Sequence, residues 1–312
     1  MFRAKVRSRG LTGLSRAMLE RTLLETIRAD WGGETATRAV AGEAMFCLGS
    51  RIGARRRENQ DRIAAMRLPG GRAGGPASYV FALCDGVGGA AAGAESAAAA
   101  LAAFLGALAE DGMAGDPGNE AASGAPASTT SASVEDLRAA ALRADAAAQR
   151  AGGGATTLTA VLLSGSDIRR LNVGDSRIYS FSRRSGIRRH TVDDSVSETL
   201  GGDDPALLQY VGMGRGLRPH IGEIEAGPDL ILLTSDGLHC INAETFEAVV
   251  RHASSPREAC DRLISTAKWT GSTDDASLAV VATDLPLMEP APGEGEAGAG
   301  IIVWTPFGRH AV

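Results

Sequence analysis

Hydrophobic runs of five to eight residues, each closed by Gly, Asp or Ser, recur along the middle of this chain and predict strands. They fall at 44–50, 62–68, 79–84, 157–164, 168–173, 177–181, 230–234 and 277–283. Longer stretches with helical spacing or high alanine content predict helices at 90–110, 134–151, 243–252 and 256–270. Ser133 and Ser255 stand where the second and fourth of these helices need an N-cap. The order is strands, a helical pair, strands, and a final helical pair. This is neither a βαβ alternation nor an all-β pattern. It predicts an α+β fold with sheets packed together and helices outside.

The same pattern divides the chain. Residues 44–284 read as one compact domain, interrupted at 111–132 by a Gly/Ala/Ser/Thr/Pro-rich loop. Residues 1–43 form a basic N-terminal extension. Leu11, Leu14, Met18, Leu23 and Ile27 lie there at roughly helical spacing, and arginines outnumber acidic residues. A peripheral helix, a loosely ordered arm and a basic amphipathic helix resting on an acidic partner or membrane surface are all open readings. Residues 285–312 are a tail: a Pro/Gly/Glu linker, then IIVWTPF, a segment able to dock on the domain or on a partner.

Bulk properties narrow the function classes. A hydrophobic fraction of 44% supports a full core, and a net charge of −5 gives no global basic field for nucleic acid. No membrane span or secretory signal is expected from the run lengths. Cys47, Cys84, Cys240 and Cys260 show neither zinc-ligand spacing nor a disulfide framework, which points to reduced thiols and a cytoplasmic location.

Candidate chemistry lies in five aspartate-bearing segments, each at or beside the end of a hydrophobic run. They are RRENQD ending at Asp61, DGVGG from Asp85, GDSR around Asp175, SDGL around Asp236 and TDDAS around Asp274. Singly, an Asp-Gly after a strand is a turn. Together, carboxylates at the ends of strands that pair into one scaffold can converge, and clustered hard oxygen ligands suit Mg²⁺ or Mn²⁺. Two such ions are a known means of activating water against a phosphate ester. GVGG lacks both GxGxxG and a following GK[ST], so it is no nucleotide-binding loop.

This set of segments resembles the metal-dependent protein serine/threonine phosphatases of the type 2C family in their bacterial form, over roughly 44–284. The resemblance implies a four-layer α/β/β/α sandwich of two antiparallel sheets flanked by helix pairs. It implies two bound Mn²⁺ or Mg²⁺ ions, with a weaker third site. Asp61, Asp85, Asp236 and Asp274 match the family's carboxylate ligands, Asp85 bridging both ions and Gly86 contributing a backbone carbonyl. Asp175 matches a residue that helps hold the third ion, and Arg56 the arginine that grips substrate phosphate. The implied reaction is hydrolysis of phosphoserine or phosphothreonine in proteins by a metal-bridging water attacking phosphorus directly. The implied partners are a phosphoprotein substrate and a cognate Hanks-type serine/threonine kinase.

Several positions depart from the family pattern. Val87 occupies the place of a histidine proposed elsewhere as general acid and cannot donate a proton. His190 and His239 are candidates by residue type only, with a structural role the plainer reading. Asp275 stands where asparagine is common, and Asp194 where histidine is common. Thr156, Thr157 and Thr159 read as structural, and Gly212, Gly214 and Gly216 as turn formers. Residues 193–226 fall where the family has a variable flap, with Gln209, Tyr210, Met213 and Arg215 as candidate substrate contacts. Two other classes of function stand beside the enzyme: a non-catalytic pseudophosphatase that binds phosphoproteins, and a hydrolase using Ser235 with His239. The second lacks a GxSxG elbow.

Overall fold

The computed structural model describes residues 16–31, 38–68, 77–87, 90–113, 132–202, 204, 206–284 and 301–312. In chain order the strands are β1 Arg38–Glu43, β2 Phe46–Arg51, β3 Arg62–Leu68, β4 Ser78–Cys84, β5 Gly86–Val87, β6 Ala155–Thr156, β7 Leu158–Ser164 and β8 Asp167–Val173. They continue as β9 Arg177–Ser182, β10 Gly186–Arg189, β11 His220–Ile224, β12 Leu230–Thr234, β13 Ala276–Ala282, β14 Ile302–Thr305 and β15 Gly308–Ala311. The helices are α1 Arg16–Trp31, α2 Ala90–Met113, α3 Val134–Arg150, α4 Val196–Leu200, α5 Ala243–Arg251 and α6 Pro256–Trp269.

Two antiparallel sheets face each other. One runs β1-β2-β13-β12-β9-β10 and the other β11-β8-β7-β4-β3-β14-β15, with β5 and β6 forming a small ladder beside them. The expected α+β sandwich is therefore present. The apolar runs at 62–68 and 230–234 become β3 and β12 without adjustment because both faces of these central strands are buried. Helices α5 and α6 cover the first sheet through Phe246, Val250, Leu263 and Ile264. Ser133 caps α3 with a capping box, and Ser255 caps α6 ahead of a proline in its first turn.

The second sheet carries three helices instead of a pair. Leu19, Leu23, Ile27 and Trp31 of α1 are buried at a spacing of four, while Met18 faces solvent, so the apolar stripe differs from the one expected around Met18. This stripe packs on α2, where Gly106 faces Glu20 and Leu23. Leu11 and Leu14 lie outside the described residues. The IIVWTPF segment docks on the domain itself: β14 pairs with β3, and Trp304 stacks edge-on against Phe46 with centroids 5.3 Å apart. Asp30 at the end of α1 binds Thr305 and His310, joining both ends of the chain to one core.

Residues 92–109 of α2 are long and apolar enough to cross a membrane by composition, contrary to the expectation that no such run exists. In the fold, 89% of that window is buried inside the protein. Its apolarity serves packing between α1, α3 and the sheet.

Candidate active site

Asp61 precedes β3, Asp85 follows β4, Asp175 sits in the β8–β9 turn, Asp236 follows β12, and Asp274 stands just before β13. Adjacent antiparallel strands reverse direction, so these strand ends lie on one side of the sandwich. Asp85 is the hub: the charges of Asp61, Asp236, Asp175 and Asp274 all bear on its carboxyl. Burial first, and then these four neighbours, hold it well above the usual carboxylate range. Asp236 is pushed up to about 7 by burial, then by Asp175 and Asp274, while a hydrogen bond with Asp85 acts the other way. Burial leads again at Asp175, raised to about 6.

Asp61 forms the floor. It is fully buried, and burial followed by the charge of Asp275 raises it to about 8. Its Oδ2 accepts a 2.8 Å hydrogen bond from Ser235 Oγ, whereas Oδ1 is buried with no partner among the described residues. The other four carboxylates are partly open to solvent. A set of acidic oxygens that repel one another, with an orphaned acceptor at its base, fits hard divalent cations in its midst. Among the described residues no three His, Cys, Asp or Glu side chains stand close enough together to hold a metal ion by themselves. A cation here would keep several waters, as magnesium-class ions commonly do.

The backbone around Asp85 is fixed by the segment at 156–157. Thr157 Oγ1 accepts from the Asp85 amide at 2.9 Å, and Thr156 Oγ1 donates to the Asp85 carbonyl at 2.8 Å. Thr157 Oγ1 also lies 2.9 Å from Ser176 Oγ, linking Asp85 to the Asp175 turn. Gly86, on β5, pairs with Thr156. A Cβ on Gly86 would fall 2.6 Å from the Gly93 backbone, so glycine is what lets the first turns of α2 close over this loop. Val87 stands exposed beside it.

Arg56 reaches the cluster from the loop after β2. Its Nε and Nη2 each lie 2.7 Å from Asp274 oxygens, and Nη1 donates to Gln60 Oε1 at 3.0 Å. The guanidinium is thus already aimed at the carboxylates, in the fork geometry that also suits a phosphoryl group.

Three supports escaped the sequence reading. Asp275 accepts from the Gly53 and Gln60 amides, each at 2.8 Å, and so clamps the Arg56–Asp61 loop to the Asp274 loop. Ser235, considered above as a nucleophile, is buried; its hydroxyl donates to Asp61 and accepts from the Ser277 amide at 2.9 Å. It is a positioning group, with no exposed oxygen to attack a substrate. Asp145 on α3 accepts from the Gly212 and Gly214 amides at 2.7 and 3.1 Å, holding the turn after Val211. Spacing along the chain signals none of these, because each partner is remote in sequence.

The flap residue Gln209 is occupied: Nε2 donates to Asp194 Oδ2 at 2.9 Å and Oε1 accepts from the Arg218 amide at 2.6 Å. Asp194 in turn accepts from the Gly174 amide at 2.9 Å and pairs with His220. His239 is half-buried beside Arg177 and Arg189, its Nε2 buried with no hydrogen-bond partner among the described residues; burial, then these charges, hold it well below the usual imidazole value. His190 bonds Ser180. The His239 amide donates to the Asp236 carbonyl at 2.8 Å, but among the described residues neither imidazole hydrogen-bonds a carboxylate of the cluster.

Replacing Asp275 by alanine is expected to cost roughly 2–4 kcal/mol, since two buried amides lose their acceptor at once. Chemical denaturation reads that loss. An unchanged midpoint would show that the clamp contributes nothing.

Comparison with known proteins agrees with the architecture. A sequence model described as protein phosphatase 2C matches residues 49–271. A curated relative, probable protein phosphatase 2C 28 of Arabidopsis thaliana, is 31% identical over 157 residues, 41% of this chain and 46% of the relative. Probable protein phosphatase 2C 9 of the same plant is 28% identical, with 41% and 55% covered. The matched region spans about half the length of these relatives. Among solved structures, the catalytic domain of the serine/threonine protein phosphatase PstP, in complex with two manganese ions, superposes with a TM-score of 0.58 at 26% identity, covering 79% of this chain and 99% of that one. The phosphatase MsPP from Mycobacterium smegmatis gives 0.58 at 21% identity, with 78% and 99% covered, a likeness of fold. With the family model covering most of the sandwich and the five aspartate segments gathered at one end of it, the chain belongs to the protein phosphatase 2C family.

Proposed function

We propose that this protein hydrolyses phosphoserine and phosphothreonine in phosphoproteins, using two Mn²⁺ or Mg²⁺ ions. The observation that carries the reading is the convergence of four carboxylates on Asp85 beside a forked arginine. Asp61, Asp85, Asp236 and Asp274, with the Gly86 carbonyl, would hold the two ions, and Asp175 a third, weaker one. When bound, such ions acidify water and offset phosphoryl charge.

The chain's own residues do the rest. Asp61 is held from below by Ser235, and the backbone of Asp85 is held by Thr156 and Thr157, so the segments that carry the donor oxygens are set before any ion arrives. Arg56 turns its fork from Asp274 to the substrate phosphoryl group, orienting it for direct attack by water with no phosphoenzyme. Val87 gives no proton, His190 is bonded to Ser180, and the His239 imidazole makes no bond to the cluster, so the departing alkoxide takes its proton from solvent at the open mouth of the cluster. Tyr210, Met213 and Arg215 are the flap residues left to meet the substrate chain. The free cysteines suit a reducing cytoplasm, where a Hanks-type kinase would supply the phosphoproteins.

Steady-state kinetics on a phosphothreonine peptide with Mn²⁺ test this assignment. Asp236→Ala is expected to lower kcat/KM by about a hundredfold or more, and Arg56→Ala by about tenfold to a hundredfold with a raised KM. Parent-like turnover in Asp236→Ala would remove the carboxylates from the reaction.

A further inference from the structure

One concentration of charge takes no part in the site described above. It lies where the edge strands β10 and β11 border the gap between the sheets; at the opposite edge β1 meets β14 and β15. Arg188 is the cross-strand partner of Ser180, so the two side chains leave the same face of the first sheet. His190, two residues on, shares that face, and its Nε2 lies 2.7 Å from Ser180 Oγ. The alternate residues Tyr179, Phe181 and Ile187 pack with α5 and α6, which puts Arg188, His190 and Ser180 on the inner face. On the second sheet, Arg169 turns outward to the Ala132 carbonyl ahead of α3, so Arg170 turns inward. The Arg170 guanidinium lies across Gly222 of β11, where an added Cβ would come within 3.1 Å of Nη2.

Among the described residues no acidic side chain answers this charge. Neither Arg170 nor Arg188 forms an ion pair among the described residues, and Arg170 Nε is buried without a hydrogen-bond partner. Burial, then the charges of Arg188 and Arg170, depress the His190 imidazole below its usual value, so both arginines lie within electrostatic reach of it. Two uncompensated guanidiniums, one with an unmet buried donor, stand beside an imidazole and a hydroxyl that can each donate as well as accept, and no carboxylate is among them. Arginine forks of this kind match the oxygens of a tetrahedral oxyanion.

We propose that the opening lined by Arg170, Arg188, His190 and Ser180 binds an oxyanion of the phosphate class, either free phosphate or a phosphoryl group on a protein chain. The site is separate from the carboxylate cluster and does not depend on its catalytic role.

The test is binding, followed in the full chain with labelled histidine in EDTA, so that turnover plays no part. His190→Gln assigns the His190 ring signal. Inorganic phosphate and a phosphothreonine peptide are then titrated separately, each against chloride at matched ionic strength. A saturable shift of the His190 signal is expected, weakened about tenfold in Arg170→Gln and in Arg188→Gln. A response to phosphate identifies the free ion as sufficient, and a response to the peptide alone identifies a protein phosphoryl group. Arg188 is exposed on an edge strand, so Arg188→Gln retains the fold even where Arg170→Gln does not. No shift with either probe, or the same shift in a folded Arg188→Gln variant, overturns the proposal.

Discussion

In the Asp61→Asn variant, phosphatase activity is expected to fall by about a hundredfold or more while the metal-free protein becomes more stable. Asp61 is buried, carries one oxygen without a partner, and has its pKa raised from 3.8 to about 8. A group whose folded pKa lies above its unfolded value contributes its full stability below the unfolded value. That contribution is lost as pH rises through the folded value. The window is therefore about 4 to 8, across which the unfolded chain gives up this proton while the folded metal-free parent must keep it on the buried carboxyl, so stability falls as pH rises. Asparagine keeps an acceptor for Ser235 and carries no charge, so the variant should escape this loss, by an amount on the order of a few kcal/mol at pH 8. Removing the Asp61 charge also relieves Asp85, whose carboxyl it holds up, so the difference between the two melting curves reports Asp61 together with that coupling. Mn²⁺ should raise the melting temperature of the parent well above its effect on the variant. Thermal melts from pH 4 to 8 in EDTA would show the two curves diverging as pH rises; parallel curves would mean that Asp61 carries no strain of this kind.

The second large effect is expected at Gly237. A Cβ there would stand 1.9 Å from the Asp275 carbonyl oxygen and 2.7 Å from its carbon, and both are backbone atoms with no rotamer to yield. Gly237→Ala must push the Asp236 loop away from the Asp275 loop, at a cost of roughly 3 kcal/mol or more. Gly165→Ala makes a useful comparison. Its φ of +58° brings backbone strain, but an added Cβ meets nothing within 4 Å, so about 1 kcal/mol is expected. Denaturant midpoints for the two variants measured side by side decide this. A Gly237→Ala midpoint equal to that of Gly165→Ala would show that the two loops are free to separate.

The central elements were legible in the chain because their signals are local. Runs such as 230–234 and 62–68 announce buried strands, and Ser255 followed by Pro256 announces the start of α6. The five aspartate segments were legible too, since each carries its own short pattern. What stayed hidden depends on partners far along the chain. Glu43 meets the Trp304 indole across 261 positions, and Asp30 meets His310 across 280, so neither the burial of α1 nor the docking of β14 has a local mark. Strand β11, HIGEI, is a short and largely exposed edge, too weakly patterned to stand out. Asp275 and Ser235 looked like a spare carboxylate and a spare hydroxyl because their work is to hold residues 215 and 174 positions away.

The most direct measurement is phosphate release from a phosphothreonine peptide by the unaltered chain, with Mn²⁺, with Mg²⁺ and with excess EDTA. The account expects catalytic turnover with either metal and none in EDTA, restored when Mn²⁺ is returned in excess. Folded protein that releases no phosphate with any metal, or that works equally well in EDTA, would contradict it.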